Sequence, residues 1–259
     1  MKRSFEIFSL MLWRDTKTFL RNYHDQVINS MIWVLSIVGV ATYLLPLFGL
    51  TRVFGVFILA STVGSIGVMQ AMLYAMTFVA DLEGDNQISY DLTLPLKSSW
   101  VFIERAVAVA IRTFLLSILV LPVGKLFFWN RIELTNFCWW KFLLIIIVQS
   151  IFYGFLSNWY VSFIPEFEKA EDIWLRLNFP LWFLGGYQFT WASVYSLSPY
   201  LAYLALINPV FYVMEGMRSA VIGSDGSLNF WLCVGALLVF SGLLAWRGTF
   251  LLKRRLDSI

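Results

Sequence analysis

Residues 177–214 read LNFPLWFLGGYQFTWASVYSLSPYLAYLALINPVFYVM, 38 residues without one charged side chain. An α-helix rises 1.5 Å per residue, so roughly 20 apolar residues cross the ~30 Å hydrocarbon core of a bilayer. The stretch is therefore too long for one crossing and tight for two with a turn between them. Pro199 and the pair Asn208-Pro209 interrupt it, and Asn208 is suited to cap a new helix whose first position is Pro209. How these residues divide decides the fold.

Working outward, five further stretches have crossing length: 27–48, 53–80, 106–129 (interrupted by Arg112 and Lys125), 142–165 and 228–246. The second is rich in small residues, including Gly55, Gly64 and Gly67, which let a neighbouring helix approach closely. Composition agrees with this reading. Hydrophobic residues make up 59% of the 259 and charged residues 14%, and mean hydropathy is +0.74. A soluble domain carries about a quarter charged residues. Seven prolines, sixteen glycines without a period and two cysteines exclude disorder, collagen and a disulfide scaffold. The net charge of +3, with its basic residues scattered, leaves no nucleic-acid footprint.

Lys and Arg favour the cytoplasmic side of short loops. The first 26 residues hold Lys2, Arg3, Arg14, Lys17 and Arg21, and the last 13 hold Arg247, Lys253, Arg254 and Arg255, so both termini are expected in the cytoplasm and the number of crossings is even. The expected fold is an all-α integral membrane protein: six transmembrane helices, an amphipathic N-terminal interface helix, and a re-entrant helical hairpin between the fifth and sixth spans. Residues 1–259 form a single transmembrane domain, divided into a cytoplasmic amphipathic helix (1–26), a six-span bundle (27–250) and a cytoplasmic tail (251–259). Non-helical backbone at membrane depth must be buried in protein or line a wet cavity, which makes 177–214 a pathway candidate. The alternative is two tight spans and a seventh crossing. Cytoplasmic loops are expected at 81–105 and 166–176. In the first segment Phe5, Phe8, Leu12 and Phe19 share one helical face, opposite Arg3, Glu6, Arg14, Lys17 and Arg21, as in a helix lying along the inner leaflet. No cleavable signal peptide is read at the start.

No G-x-x-x-x-G-K-[ST] or G-x-G-x-x-G occurs, so no phosphate cradle is expected in this chain. His24 has no companions for a metal site and reads as a solvated interface residue. Cys138 and Cys233 fall near the same ends of their spans, where either a disulfide or two apolar fillers is compatible. Paired acids inside spans, which a proton-coupled carrier needs, are missing. Arg112 lies roughly 10 Å beyond Arg105 by helical rise, where an unpaired cation costs about 2.5–3.5 kcal/mol. It is expected to find a structural partner or to recognise an anionic head group.

Two segments carry a resemblance. Residues 180–186 (PLWFLGG), followed by 208–218 (NPVFYVMEGMR), resemble the fifth-span and outer-helix signature of type-2 ABC transporter permeases. Residues 88–95 (ISYDLTLP) are similar to that family's segment after the second span. The resemblance implies a membrane subunit of an ABC exporter, a homodimer with two separate ATPase subunits and Mg-ATP held on those subunits, in a bacterial inner membrane. It implies that 81–95 couples to the ATPase, with Asp81, Glu83, Asp85, Asp91, Leu92, Leu94 and Pro95 as its residues. Gly185, Gly186, Asn208, Pro209, Tyr212, Glu215 and Arg218 would form the gate and translocation path. The chain departs from many relatives in making this first loop acidic, which suits a partner with a basic groove. Relatives carry lipid-linked glycans, other lipids or hydrophobic drugs, so an amphipathic substrate is expected. The 18% aromatic content suits a stacking path or the ordinary interfacial belt. Glu215 and Arg218, three apart, are expected to pair. The rival reading is a membrane-embedded lipid-modifying transferase holding a divalent cation on Asp81, Glu83 and Asp85. A third is a non-transporting scaffold subunit.

Overall fold

The computed structural model describes residues 2–49, 54–84 and 87–256, and every regular element among the described residues is helical. Asp85, Val53 at the head of the second expected span, and 257–259 of the tail lie outside them.

Helix α1 (Lys2–Arg21) is amphipathic. Met11, Asp15 and Phe19, each four residues apart and hence on one face, are buried, and α1 packs along α5 (Ser98–Phe127). Phe19 is buried and Phe8 and Leu12 are half-buried, with Phe8 edge-on to Trp100 at 5.7 Å. Phe5 stays exposed with Leu10, Trp13 and Leu20. Most of the face read as apolar is thus occupied by protein, and a second, mixed face is turned outward.

Helix α2 (Tyr23–Gly39) continues through a π-helical turn (Val40–Leu44) and a 3-10 turn (Leu45–Phe48). Next come α3 (Phe54–Glu83) and a short α4 (Gln87–Thr93); α5 is followed by α6 (Trp139–Phe163). A 3-10 turn (Phe167–Lys169) leads into α7 (Ala170–Ile173), a π-helical turn (Trp174–Asn178) and α8 (Phe179–Phe183). Two seven-residue helices, α9 (Trp191–Leu197) and α10 (Pro199–Ala205), precede α11 (Pro209–Val221) and α12 (Phe230–Leu256). Among the described residues, five segments are long and apolar enough to cross a membrane: Tyr23–Phe48, α3, α5, α6 and α12. A sixth is added if α10 and α11, bent by 98°, count as one.

The decisive stretch thus contains no long helix. Residues 170–183 are helical throughout, which at 1.5 Å per residue makes about 21 Å, short of a bilayer's hydrocarbon core. This segment starts inside the expected loop 166–176. Counting uncharged residues set its boundary at Arg176, yet Arg176 and Asp172 are exposed and pair at 3.4 Å across one turn, so charge marks the exposed side of a helix here and not its end. Charge fails to mark the start of α5 as well, which begins eight residues before position 106 and carries Glu104 and Arg105 on its buried side.

Helices α3 and α6 are central, with 78% and 67% of their apolar windows buried, against 28% for both Tyr23–Phe48 and α12. The small residues of α3 permit this. A Cβ on Gly67 would fall 1.9 Å from the Tyr153 ring, whose hydroxyl donates to the Gly64 carbonyl at 2.9 Å. At one end of the bundle, Arg255 near the end of α12 donates to the carbonyls of Val161, Ile164 and Pro165, closing the C-terminus of α6. Glu83 at the end of α3 accepts from the backbone N–H of Phe167 at 2.8 Å. The ends of α3, α6 and α12 and the start of α5 therefore gather with α4 and the Arg14 region of α1.

Candidate functional site

At that end, α4 is held as a short helix beneath the bundle. Asp81 accepts from the N–H groups of Gln87 and Ile88 at 3.1 and 3.2 Å, neutralising the first turn of α4 as an N-terminal carboxylate does. Ile88 and Asp91, three apart, face inward and are buried, while Gln87, Ser89, Tyr90 and Thr93 are exposed. Leu92 and Leu94 are half-buried and Pro95 is exposed.

Asp91, one of the acidic residues of the expected coupling loop, is the centre of an ionic knot. Arg14 of α1 grips both its oxygens at 2.9 Å, and Arg105 of α5 donates to the same carboxylate. Asp15 accepts from Arg105 at 3.1 Å and from Arg14 Nε at 2.9 Å. Burial pushes the Asp91 carboxyl up, but the hydrogen bonds and charges of Arg14 and Arg105 overturn that and hold it below the ordinary aspartate value. Three elements, α1, α4 and α5, are joined through this one carboxylate. Arg14, Asp15, Glu104 and Arg105 were not singled out from sequence. The available signal was Asp15, a carboxylate on the otherwise apolar Met11–Phe19 row of α1.

The knot leaves the acidic residues of this loop dispersed. Asp81 and Glu83 are engaged with different backbone segments, and among the described residues no group of three or more His, Cys, Asp or Glu is placed to hold a metal ion. His24 is exposed, and Cys138 and Cys233 are both free thiols.

At the opposite end the second set of residues converges. The chain leaves α8 through Gly185 and Gly186. Gly186 has φ +80°, a left-handed conformation that costs any side-chain-bearing residue. Asn208 caps α11 by accepting from the Val210 N–H at 3.0 Å, with Pro209 at the first helical position, and its amide donates to the Leu181 carbonyl at 2.7 Å. Glu215 and Arg218 pair at 2.6 Å with 0% and 2% of their side chains exposed. Glu215 also accepts from the N–H of Trp191 at 3.1 Å and of Leu228 at 2.7 Å. Arg218 donates to Ser61 Oγ at 3.1 Å and to the Gly186 carbonyl at 2.6 Å, and lies 4.5 Å from the Phe57 ring centre. One buried pair thus fixes the Gly186 turn, the start of α9, the approach to α12 and the first half of α3. Tyr212, by contrast, packs against Phe240 at 6.0 Å, away from those bonds. Beside α8, a cleft of about 810 Å³ is lined by apolar side chains of α8 to α10, among them Leu181, Leu184, Val194, Leu197 and Leu201, with Arg176 and Asn208 at its polar margin.

Arg112 joins neither set. Its guanidinium lies 5.5 Å from the Phe19 ring centre and 5.4 Å from that of Tyr74, and among the described residues no carboxylate is within ion-pair distance of it.

No family model, no curated protein and no solved structure matches the chain. The fold defines the class: an all-helical, multi-pass membrane protein with five or six candidate membrane-spanning helices.

Proposed function

We propose that the chain is the membrane-spanning subunit of an ATP-driven exporter of the type-2 ABC permease kind, acting as a homodimer with two separate ATPase subunits that bind Mg-ATP. In this reading α2, α3, α5, α6 and α12 cross a bacterial inner membrane, the short 170–183 segment completes a sixth pass only together with the 184–189 turn that follows it, both termini are cytoplasmic, and α9–α10 are re-entrant from the outer side. Helix α1 lies at the inner interface, its exposed Phe5, Leu10, Trp13 and Leu20 in lipid and Lys17 and Arg21 near head groups. The apolar cleft beside α8 suits the hydrocarbon part of an amphipathic substrate such as a lipid, lipid-linked glycan or hydrophobic drug.

The observation that carries the reading is the stapling of α4. A short helix outside the bundle presents Gln87, Tyr90 and Thr93 outward while Asp91 locks its other face to α1 and α5. An ATPase docked on that outer face would push on one rigid body and move two further helices with it. The Glu215–Arg218 cluster would hold the outer gate against the same displacement.

The test is co-purification of the chain with an ATPase and measurement of ATPase stimulation. Tyr90→Ala with Thr93→Ala is expected to abolish stimulation while the thermal unfolding of the chain is little changed, and Leu92→Ala with Leu94→Ala to abolish it with some loss of stability, since both leucines pack against the core. Undiminished stimulation in both variants removes the coupling role from this segment. A magnesium-dependent transferase activity of the purified chain, lost in Asp81→Asn, would replace the transport reading.

A further inference from the structure

The ionic knot has one carboxylate too many. Arg14 and Arg105 supply two positive charges, and Asp15, Asp91 and Glu104 supply three carboxylates, of which Asp91 and Glu104 have no exposed side-chain surface. The hydrogen bonds are distributed just as unevenly. Asp91 takes both terminal nitrogens of Arg14 and one of Arg105; Asp15 takes the other terminal nitrogen of Arg105 and Nε of Arg14. Neither oxygen of Glu104 has a hydrogen-bond partner, and its nearest cation, Arg105 Nε, lies 3.8 Å away, itself unpartnered. An ionised carboxylate buried without a donor is among the costliest arrangements in a protein, and the group avoids that cost by taking up a proton. A neutral carboxylic acid also needs less than a carboxylate does, since it brings its own donor.

We infer that this knot is a proton-binding site in which Glu104 carries the proton while Asp15 and Asp91 remain ionised on the two arginines. The surroundings support the assignment from every side. From α1 come Arg14 and Asp15, and from α4 Asp91, all committed to each other and to Arg105. From α3 comes Tyr74, whose buried hydroxyl has no partner. Two turns along α5, Arg112 is occupied by the Phe19 and Tyr74 rings. Helix α6, packed along α5, brings Asn158, bonded to the Phe102 carbonyl at 2.8 Å, and Tyr153 and Tyr160, bonded to the Gly64 carbonyl and to Asn178, each at 2.9 Å. On α2, Tyr23 bonds the Leu115 carbonyl, and His24 and Asp25 are exposed. Helix α12 carries no acid, and its Arg255 is held on the carbonyls of α6.

The consequence is a link between pH and the joint of α1, α4 and α5. Losing the proton creates an anion whose closest free donor is Arg105 Nε. Turning Arg105 to meet it loosens the bonds by which Arg105 holds Asp91 and Asp15. The unfolded chain releases this proton near the ordinary glutamate value of about 4.3, so between that pH and the folded site's own titration the native state binds the extra proton. Stability then falls as pH rises through the folded site's titration.

The experiment uses the purified full chain in lipid nanodiscs, with no ATPase present, so its outcome is independent of the transport reading. Infrared spectroscopy at neutral pH should show the carbonyl stretch of a protonated carboxylic acid in the wild type, lost in Glu104→Gln. Thermal unfolding should show Glu104→Gln at least as stable as wild type above neutral pH, with the wild type's fall in stability between about pH 4.3 and the site's own titration reduced or abolished. Glu104→Met, apolar and of similar length, should also fold. An identical carbonyl region in wild type and Glu104→Gln would overturn the proposal. So would destabilisation of both neutral variants, the signature of an ionised Glu104 paired with Arg105.

Discussion

Arg218 at one end of the bundle faces a single carboxylate through one terminal nitrogen and directs the other to a hydroxyl and a backbone carbonyl. Arg14 and Arg105 at the other end share three carboxylates and bond little else. The first cluster is electrically closed and wholly buried, and Glu215 engages backbone N–H groups from two separate segments. The second has an unmatched acid and an edge in solvent, with 35% of the Arg14 side chain exposed. A closed pair bonded to backbone has one arrangement. A cluster with a spare acid has at least two of similar composition, and an element that must move between states needs that property. The Glu215–Arg218 cluster therefore reads as a fixed pin and the Asp91 knot as a joint.

The largest effect should come from breaking the pin. Glu215→Ala leaves Arg218 buried without its counter-charge and frees the N–H groups of Trp191 and Leu228, which should cost about 3–5 kcal/mol in denaturant or thermal unfolding of the purified chain. Replacing the pair together, Glu215→Gln with Arg218→Met, should recover much of that loss, because no bare charge remains. A single-variant loss of about 1 kcal/mol or less would abolish the distinction between pin and joint. Gly186→Ala should come next, at about 2–3 kcal/mol. It places a side chain at φ +80° and a Cβ 2.9 Å from the Phe211 ring, combining left-handed backbone strain with overpacking.

The joint should yield less. Asp91→Asn removes two ion pairs, but Asp15 stays on Arg105 and Arg14 is partly hydrated, so a loss of about 1–2 kcal/mol is expected. Its pH dependence distinguishes it from a packing defect. The folded Asp91 carboxyl is held below its ordinary value, so its contribution is complete above about 3.9, the unfolded aspartate value, and is lost as pH falls through the lower folded value. The stability gap between wild type and Asp91→Asn should therefore be constant above about pH 4 until Glu104 loses its proton, and close in acid. A gap independent of pH would mean that shape, not charge, holds α4.

The two clusters were unequally legible in the sequence. Asn208-Pro209 announced a capped helix start, and the spacing of Glu215 and Arg218 announced their pairing, because both depend on neighbours within one turn. That the pair is buried and holds four segments depends on Ser61, 157 residues from Arg218, and could not be read locally. The Asp91 knot depends on partners 77 and 14 residues away, and Asp15 on one 90 residues away. Only the misplaced polarity of Asp15 hinted at it. The close approach of other helices to α3 was legible in Gly67, which meets Tyr153 of α6, and in Gly64, which meets Val213 and Met214 of α11. The start of the helical segment at Ala170 was not, because Glu171, Asp172 and Arg176 on its exposed side look like a loop when charges are counted without their helical phase.

Arg112 provides the smallest effect and the sharpest control. It is the second arginine of α5 after Arg105, but lies between two rings, with no carboxylate in reach among the described residues. Cation–π contacts of this kind stabilise by roughly 0.5–2 kcal/mol, and an arginine set within an apolar span opposes that with an insertion cost of similar size. Arg112→Leu retains the packing between Phe19 and Tyr74 while removing both contributions, so its unfolding free energy should stay within about 1 kcal/mol of wild type, with no acid dependence. Arg112→Ala should lose more than Arg112→Leu, because the gap between the rings then stays unfilled. If Arg112→Leu instead matched Asp91→Asn in size and in closing at low pH, Arg112 would be coupled to the carboxylates of the knot. The joint would then extend two turns further along α5 than its bonds trace.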